Sequence, residues 1–153
     1  MTINKQTIFE SDNFTVVPHN KPEVSRTDGG HIVISPKVAV TDRTQLSSKL
    51  VIELALITNI AGIAMQKGLA KQGIKIGRIN YQDNGNWKPT LHVHLYGRAI
   101  DATYQIYGQP LIVAKNLKDV VVQEPLNNQD CKLIRVQALT IANKPEYQSI
   151  IIY

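Results

Sequence analysis

The stretch that most constrains the fold runs from Ile74 to Gly97. "IKIGRINYQ" alternates apolar and polar residues, "DNGN" is a turn sequence, and "WKPTLHVHLYG" returns with the same alternation. Two such runs around an Asn-Gly turn specify an antiparallel hairpin, so the chain must contain an antiparallel sheet with one face in a core. Trp87 and Pro89 predict an irregular start to the returning strand.

Other elements fall around this hairpin. "IFESDNFTVVPHNKP" reads as a strand ending near Pro18, and "HIVISPK" as a short β-branched strand ended by Pro36. Asp42, Thr44 and Ser47 are candidate caps for a long helix over residues 46–72. Its apolar positions Leu50, Leu54, Ile57, Ala61, Ala64 and Leu69 recur at helical spacing, and Gly73 stops it. "NNQDCKLIRVQALTIAN" opens with a capping pattern and has helical propensity. The segment between, "RAIDATYQIYGQPLIVA", fits a loop or a short helix. No repeat or linker divides residues 1–153, which are expected to form one domain.

The chain has one cysteine, Cys131, so no internal disulfide is possible; with no apolar leader in "MTINKQTIFE", a cytoplasmic location is expected. The apolar stretch "LVIELALITNIAGIAM" is interrupted by Glu53 and Asn59 and is shorter than the ~20 residues of a membrane span, so no membrane association is expected. The net charge of +5 favours an anionic partner. The Lys and Arg residues are scattered, without the run that marks a nucleic-acid arm, which argues against nucleic acid.

On a strand, Thr90, His92, His94 and Tyr96 share one face while Leu91, Val93 and Leu95 take the other. Four roles fit two imidazoles in that row: an exposed face without function, a metal site, nucleophilic catalysis at a phosphorus centre, or anion binding without chemistry. A metal needs three or four ligands, and none is expected here. Neutral imidazole is a competent nucleophile at neutral pH.

"GGHIVISPKVAVTDRTQLSSKLVIELALI", "GRINYQDNGNW" and "LHVHLYGRA", in that order, resemble the histidine triad family of nucleotide hydrolases and transferases. The resemblance covers roughly residues 8–100 and leaves 101–153 as a C-terminal extension. It implies an α+β fold, an antiparallel sheet of about five strands with the long helix packed on it. It also implies a purine nucleotide substrate, no cofactor, and a homodimer formed through that helix and a sheet edge. The apolar residues around much of the helix circumference agree with such an interface.

The family's motif has three alternating histidines, and this chain has two. Leu95, Tyr96 and Gly97 match the residues that follow the third histidine, so His92 and His94 take the second and third places and Thr90 the first. The resemblance then makes His92 the nucleophile and His94 the hydrogen-bond partner of the phosphoryl or bridging group, with the Thr90 hydroxyl as a weaker orienter. In the alternative register His94 is the nucleophile and Tyr96 the third member. Asn80, Asn86 and Trp87 correspond to phosphate-binding positions, although Trp87 also suits stacking on a base or covering the hairpin, with core packing its expected role. His31 and His19 correspond to the pocket border, and Arg98 is a candidate for a distal phosphate or a sheet-edge carboxylate.

Overall fold

The structure, a computed structural model, describes residues 6–85, 87–113 and 121–153. Five strands, β1 (Phe9–Glu10), β2 (Phe14–Pro18), β3 (His31–Pro36), β4 (Ile76–Gln82) and β5 (Val93–Ala99), form one antiparallel sheet in the order β1-β2-β3-β5-β4. Helix α1 (Ser48–Ala70) connects β3 to β4, and α2 (Asn128–Ala142) follows the hairpin. The expected first strand is divided into β1 and β2, because Ser11 N–H turns back onto Phe14 O.

Sheet alternation sorts the side chains. Phe14, Val16, Ile32, Ile34, Val93 and Leu95 are buried in a cluster with Leu54, Ile57, Ala61, Ala64 and Leu69 of α1. The other face carries Val17, His31, Val33, Ser35, His94 and Tyr96. Helix α1 starts at the Ser47 cap, whose Oγ accepts from Leu50 N–H, and the chain turns away at Gly73, with φ +78°.

One close approach explains two glycines. Gly29 precedes β3 and Gly97 lies in β5; a Cβ on Gly97 would stand 2.0 Å from Gly29 O, and one on Gly29 would stand 2.2 Å from Gly97 O. Only two hydrogens fit between these backbones. The contact brings the entry of β3, and so His31, onto β5.

The extension supplies the cover for α1. Ile134, Ala138 and Ile141 of α2 join the core, and the α2 backbone at Leu133 and Ile134 passes directly over Gly68. Helix α2 thus covers the Gly68 side of α1 within the chain, while Val51 and Ile52 near its start stay exposed. The length argument against a membrane span is also corrected: α1 has 23 residues and is long and apolar enough to cross one, Glu53 and Asn59 notwithstanding. In the fold it lies between sheet and α2, and its Glu53 is bonded by Ser11 and Asn13.

Asn127 caps α2, with Asp130 answering in a capping box as "NNQD" predicts. Asp130 also takes a two-pronged bond from Arg26, at 2.6 and 2.9 Å. Buried Asp28, two residues on, accepts the backbone N–H groups of Thr103, Tyr104 and Gln105. Burial alone would raise its pKa, but those bonds hold it below the ordinary carboxylate value. Residues 103–105 are therefore a loop tied down beside β3.

Candidate functional site

The sheet face away from α1 forms the floor of a 540 Å³ cavity, within the range of roughly 300–1,000 Å³ typical of small-molecule sites. All four histidines line it. His31 and Tyr96 are directly paired across β3 and β5, as are Val33 and His94, which stacks the rings into one group. His19 lies parallel to His31 with centroids 4.4 Å apart, and His92 meets His94 edge-on at 4.8 Å.

The hydrogen bonds assign the protons. A backbone N–H can only donate, and Glu23 N–H points at His31 Nδ1 at 3.2 Å. The neutral His31 ring must then carry its proton on Nε2, which lies 2.8 Å from His94 Nδ1. His94 Nδ1 is thereby the acceptor, and His94 offers an Nε2–H donor. His92 is set the opposite way: its Nδ1 lies 2.6 Å from Thr90 O, a carbonyl that can only accept, so the neutral ring keeps its lone pair on Nε2. Neighbouring imidazoles present a lone pair and an N–H respectively.

Burial keeps two of these rings neutral. His31 is pushed down to about 2, first by burial and then by His19 and His94. His94 is pushed down to about 4 by burial, then by His92 and His19. Burial, with Glu23 nearby, raises the Tyr96 hydroxyl to about 12.

These depressions make stability fall in acid. An unfolded histidine takes up its proton around 6.5, whereas folded His94 and His31 resist to about 4 and about 2. Their contribution is complete above about pH 6.5 and is lost as pH falls toward those values. Denaturant midpoints measured between pH 7 and pH 5 should fall for wild type and less steeply for His94→Asn. Parallel profiles would refute the assignment.

His19, His31 and His94 also have ligand atoms within 4.8 Å of one another, the spacing of a three-imidazole metal site. The hydrogen bonds oppose that use. The lone pair of His31 takes Glu23 N–H, that of His94 takes His31 N–H, and that of His19 takes Lys21 N–H at 3.2 Å. A metal would have to displace these bonds, so the ring set as arranged does not fit one.

Several expectations need correction. Asn80 and Arg98 do not line the cavity: Asn80 Oδ1 accepts from Arg98, whose buried guanidinium also donates to the carbonyls of Ile106 and Gln109. Arg98 therefore braces the 106–109 loop and reaches neither a distal phosphate nor a sheet-edge carboxylate. Thr90 stands in the bend before β5, because the strand begins only at Val93, and it holds His92 through its carbonyl rather than its hydroxyl. Trp87 is 86% exposed on the cavity rim, which excludes core packing. Asn86 lies outside the described residues.

Lys21, Lys88, Gln82 and Val113 also line the cavity without having been singled out. Gln82 was accessible from hairpin alternation, since it pairs with His94. Lys21 follows His19 in the loop after β2, and Val113 comes from beyond the hairpin; no local pattern marks either.

A family model, the HIT domain, matches residues 1–100. Among solved structures, a hypothetical histidine triad nucleotide-binding protein from Sulfolobus tokodaii strain7 is 18% identical, with 94% of this chain and 89% of that one covered and a TM-score of 0.61. A histidine triad protein from Marinobacter aquaeolei VT8 is 14% identical over 90% and 88%, with a TM-score of 0.61. A Zn-bound histidine triad family protein from Mycobacterium smegmatis is 18% identical over 89% and 86%, at 0.58. No curated protein matches the sequence. With its five-stranded antiparallel sheet, long helix and histidine-lined cavity, the chain belongs to the HIT domain family of histidine triad proteins.

Proposed function

We propose that this protein cleaves nucleotides at the α-phosphorus, with His92 as nucleophile and His94 as hydrogen-bond donor. The observation that carries this reading is the pair of opposite tautomers, a lone pair on His92 Nε2 beside an N–H on His94 Nε2. In the first step the Nε2–P bond forms and the bond from phosphorus to the leaving group breaks, while the His94 Nε2–H donates a hydrogen bond to the departing atom, which takes any proton it needs from solvent. Water then attacks the nucleotidyl-histidine and loses its proton to solvent, the N–P bond breaks with its electron pair returning to His92, and the nucleoside monophosphate is released.

Lys21 and Lys88 lie where cations would offset phosphate charge. Val17, Pro18, Val33 and Val113 supply an apolar wall for a purine nucleoside, and Trp87 is placed to cover a bound group. The substrate class is a nucleoside phosphoramidate or a dinucleoside polyphosphate, and the chemistry calls for no metal. A cytoplasmic homodimer completes the reading; it rests on the family resemblance, and its interface would lie away from the α1 face covered by α2.

A second reading, a nucleotide-binding protein with little turnover, starts from Thr90 standing in the first triad place. The Thr90 carbonyl, a group every residue has, weakens that motive, since it already holds His92. The test is release of AMP from an adenosine phosphoramidate and from diadenosine polyphosphates, followed by chromatography. Multiple turnovers are expected from at least one. Calorimetric binding of AMP with no release over hours would replace the enzyme reading by the binding one.

A further inference from the structure

Gln105 lies outside the stretch matched by the family model and outside the cavity wall. Its side chain is nonetheless fully buried and uses both amide hydrogens and its oxygen. Nε2 donates to Glu23 O at 2.7 Å and to Ile112 O at 2.9 Å, and Oε1 accepts from Ile112 N–H at 2.9 Å. Its backbone is fixed in turn by Asp28, at 2.8 Å. Burying a carboxamide this deeply is costly unless its bonds do work that an apolar residue could not.

That work is visible at Glu23. The residue is gripped at its carbonyl by Gln105 while its N–H donates to His31 Nδ1. This N–H is what forces the His31 proton onto Nε2 and thereby makes His94 an Nε2–H donor. We propose that Gln105 is a positioning residue: through the main chain of Glu23 and the His31 ring, it fixes which nitrogen of His94 carries the proton. If residue 23 relaxes, His31 can carry its proton on Nδ1 instead. The His31–His94 bond then reverses, and His94 turns a lone pair toward the leaving group.

The inference rests on His94 serving as a donor to the leaving group, and its test separates the two claims. Gln105→Met keeps the length and apolar bulk and removes all three bonds. With a leaving group that departs with strong negative charge, such as an alkyl alcohol on AMP, kcat should fall by about 10²-fold, as for loss of one hydrogen-bond donor to developing charge, with little change in KM. With p-nitrophenol as the leaving group, which departs with far less localised charge, kcat should change little. Equal losses on both substrates would mean a merely structural role and overturn the proposal.

Nitrogen-15 NMR of the histidine rings gives a readout independent of turnover. Wild type should show His31 and His94 as Nε2–H tautomers, and Gln105→Met should show loss of that state. A wild-type His94 protonated on Nδ1, or unchanged tautomers in a folded variant, would overturn the inference. Absence of AMP release from wild type together with the expected tautomers would sink the hydrolase reading while leaving the positioning role intact. Should Gln105→Met fail to fold, the wild-type spectrum and the same comparison on Gln105→Leu decide it.

Discussion

Replacing His92 by alanine is expected to lower AMP release by roughly four orders of magnitude, while KM changes far less. In the proposed reaction the ring supplies the electron pair that forms the N–P bond, and among the described residues no other histidine ring is set the same way. His94 Nδ1 and His31 Nδ1 are both occupied as acceptors, so neither can take over without breaking a hydrogen bond. Residual activity would come from direct attack by water, with His94 still in place. Substrate labelled in the α-phosphoryl group should leave an acid-labile adduct on wild type in a rapid quench and none on His92→Ala.

Two companion variants sharpen the result. Thr90→Ala should behave nearly as wild type, because the bond that orients His92 runs to the main-chain carbonyl, which alanine keeps. A large loss there would restore the hydroxyl as the orienter. Loss of adduct in His94→Ala but not in His92→Ala would move the nucleophile to His94 and with it the whole register.

The hairpin and its faces were legible because alternation is a local property of the chain. "LHVHLYG" put His94 and Tyr96 on one face from sequence alone, and the cavity lies on that face. The same rule failed at Thr90, where Pro89 and the bend delay β5 until Val93. Capping was local too: Asn127 and Asp130 sit three apart, so the start of α2 was readable.

What could not be read depends on neighbours distant in sequence. Arg98 meets Asn80 through a strand pairing that carries a register shift between Ile76 and Arg78, and no side-chain pattern encodes it. The His31–His94 bond requires β3 to lie beside β5, which follows from the crossover through α1 and the mutual fit of Gly29 and Gly97. The proton positions that distinguish His92 from His94 come from a backbone N–H at Glu23 and a carbonyl at Thr90, groups that carry no sequence signature.

The largest effect on stability is expected from Asp130→Ala. One carboxylate performs two tasks: Oδ2 accepts from Asn127 N–H to close the capping box, and both oxygens take the Arg26 guanidinium. The Asp130 side chain is fully buried while that of Arg26 keeps 21% exposure, so the abandoned cation can recover part of its hydration. Breaking a buried pair costs about 3–5 kcal/mol and a lost cap about 1 kcal/mol. The exposure of Arg26 argues for the low end of the pair term, a total of about 4 kcal/mol, or a fall in Tm of roughly 8–16 °C for a chain of this size. Asp130→Asn should lose less, since its amide oxygen can still accept one bond but carries no charge for the guanidinium. The consequence reaches the site, because Arg26 N–H also bonds Glu124 O and the 25–30 loop leads directly into His31. Denaturant unfolding of the two variants should therefore order them wild type, Asn, Ala. Equal stability of wild type and Ala would show that the Arg26–Asp130 bond does not hold α2 to the core.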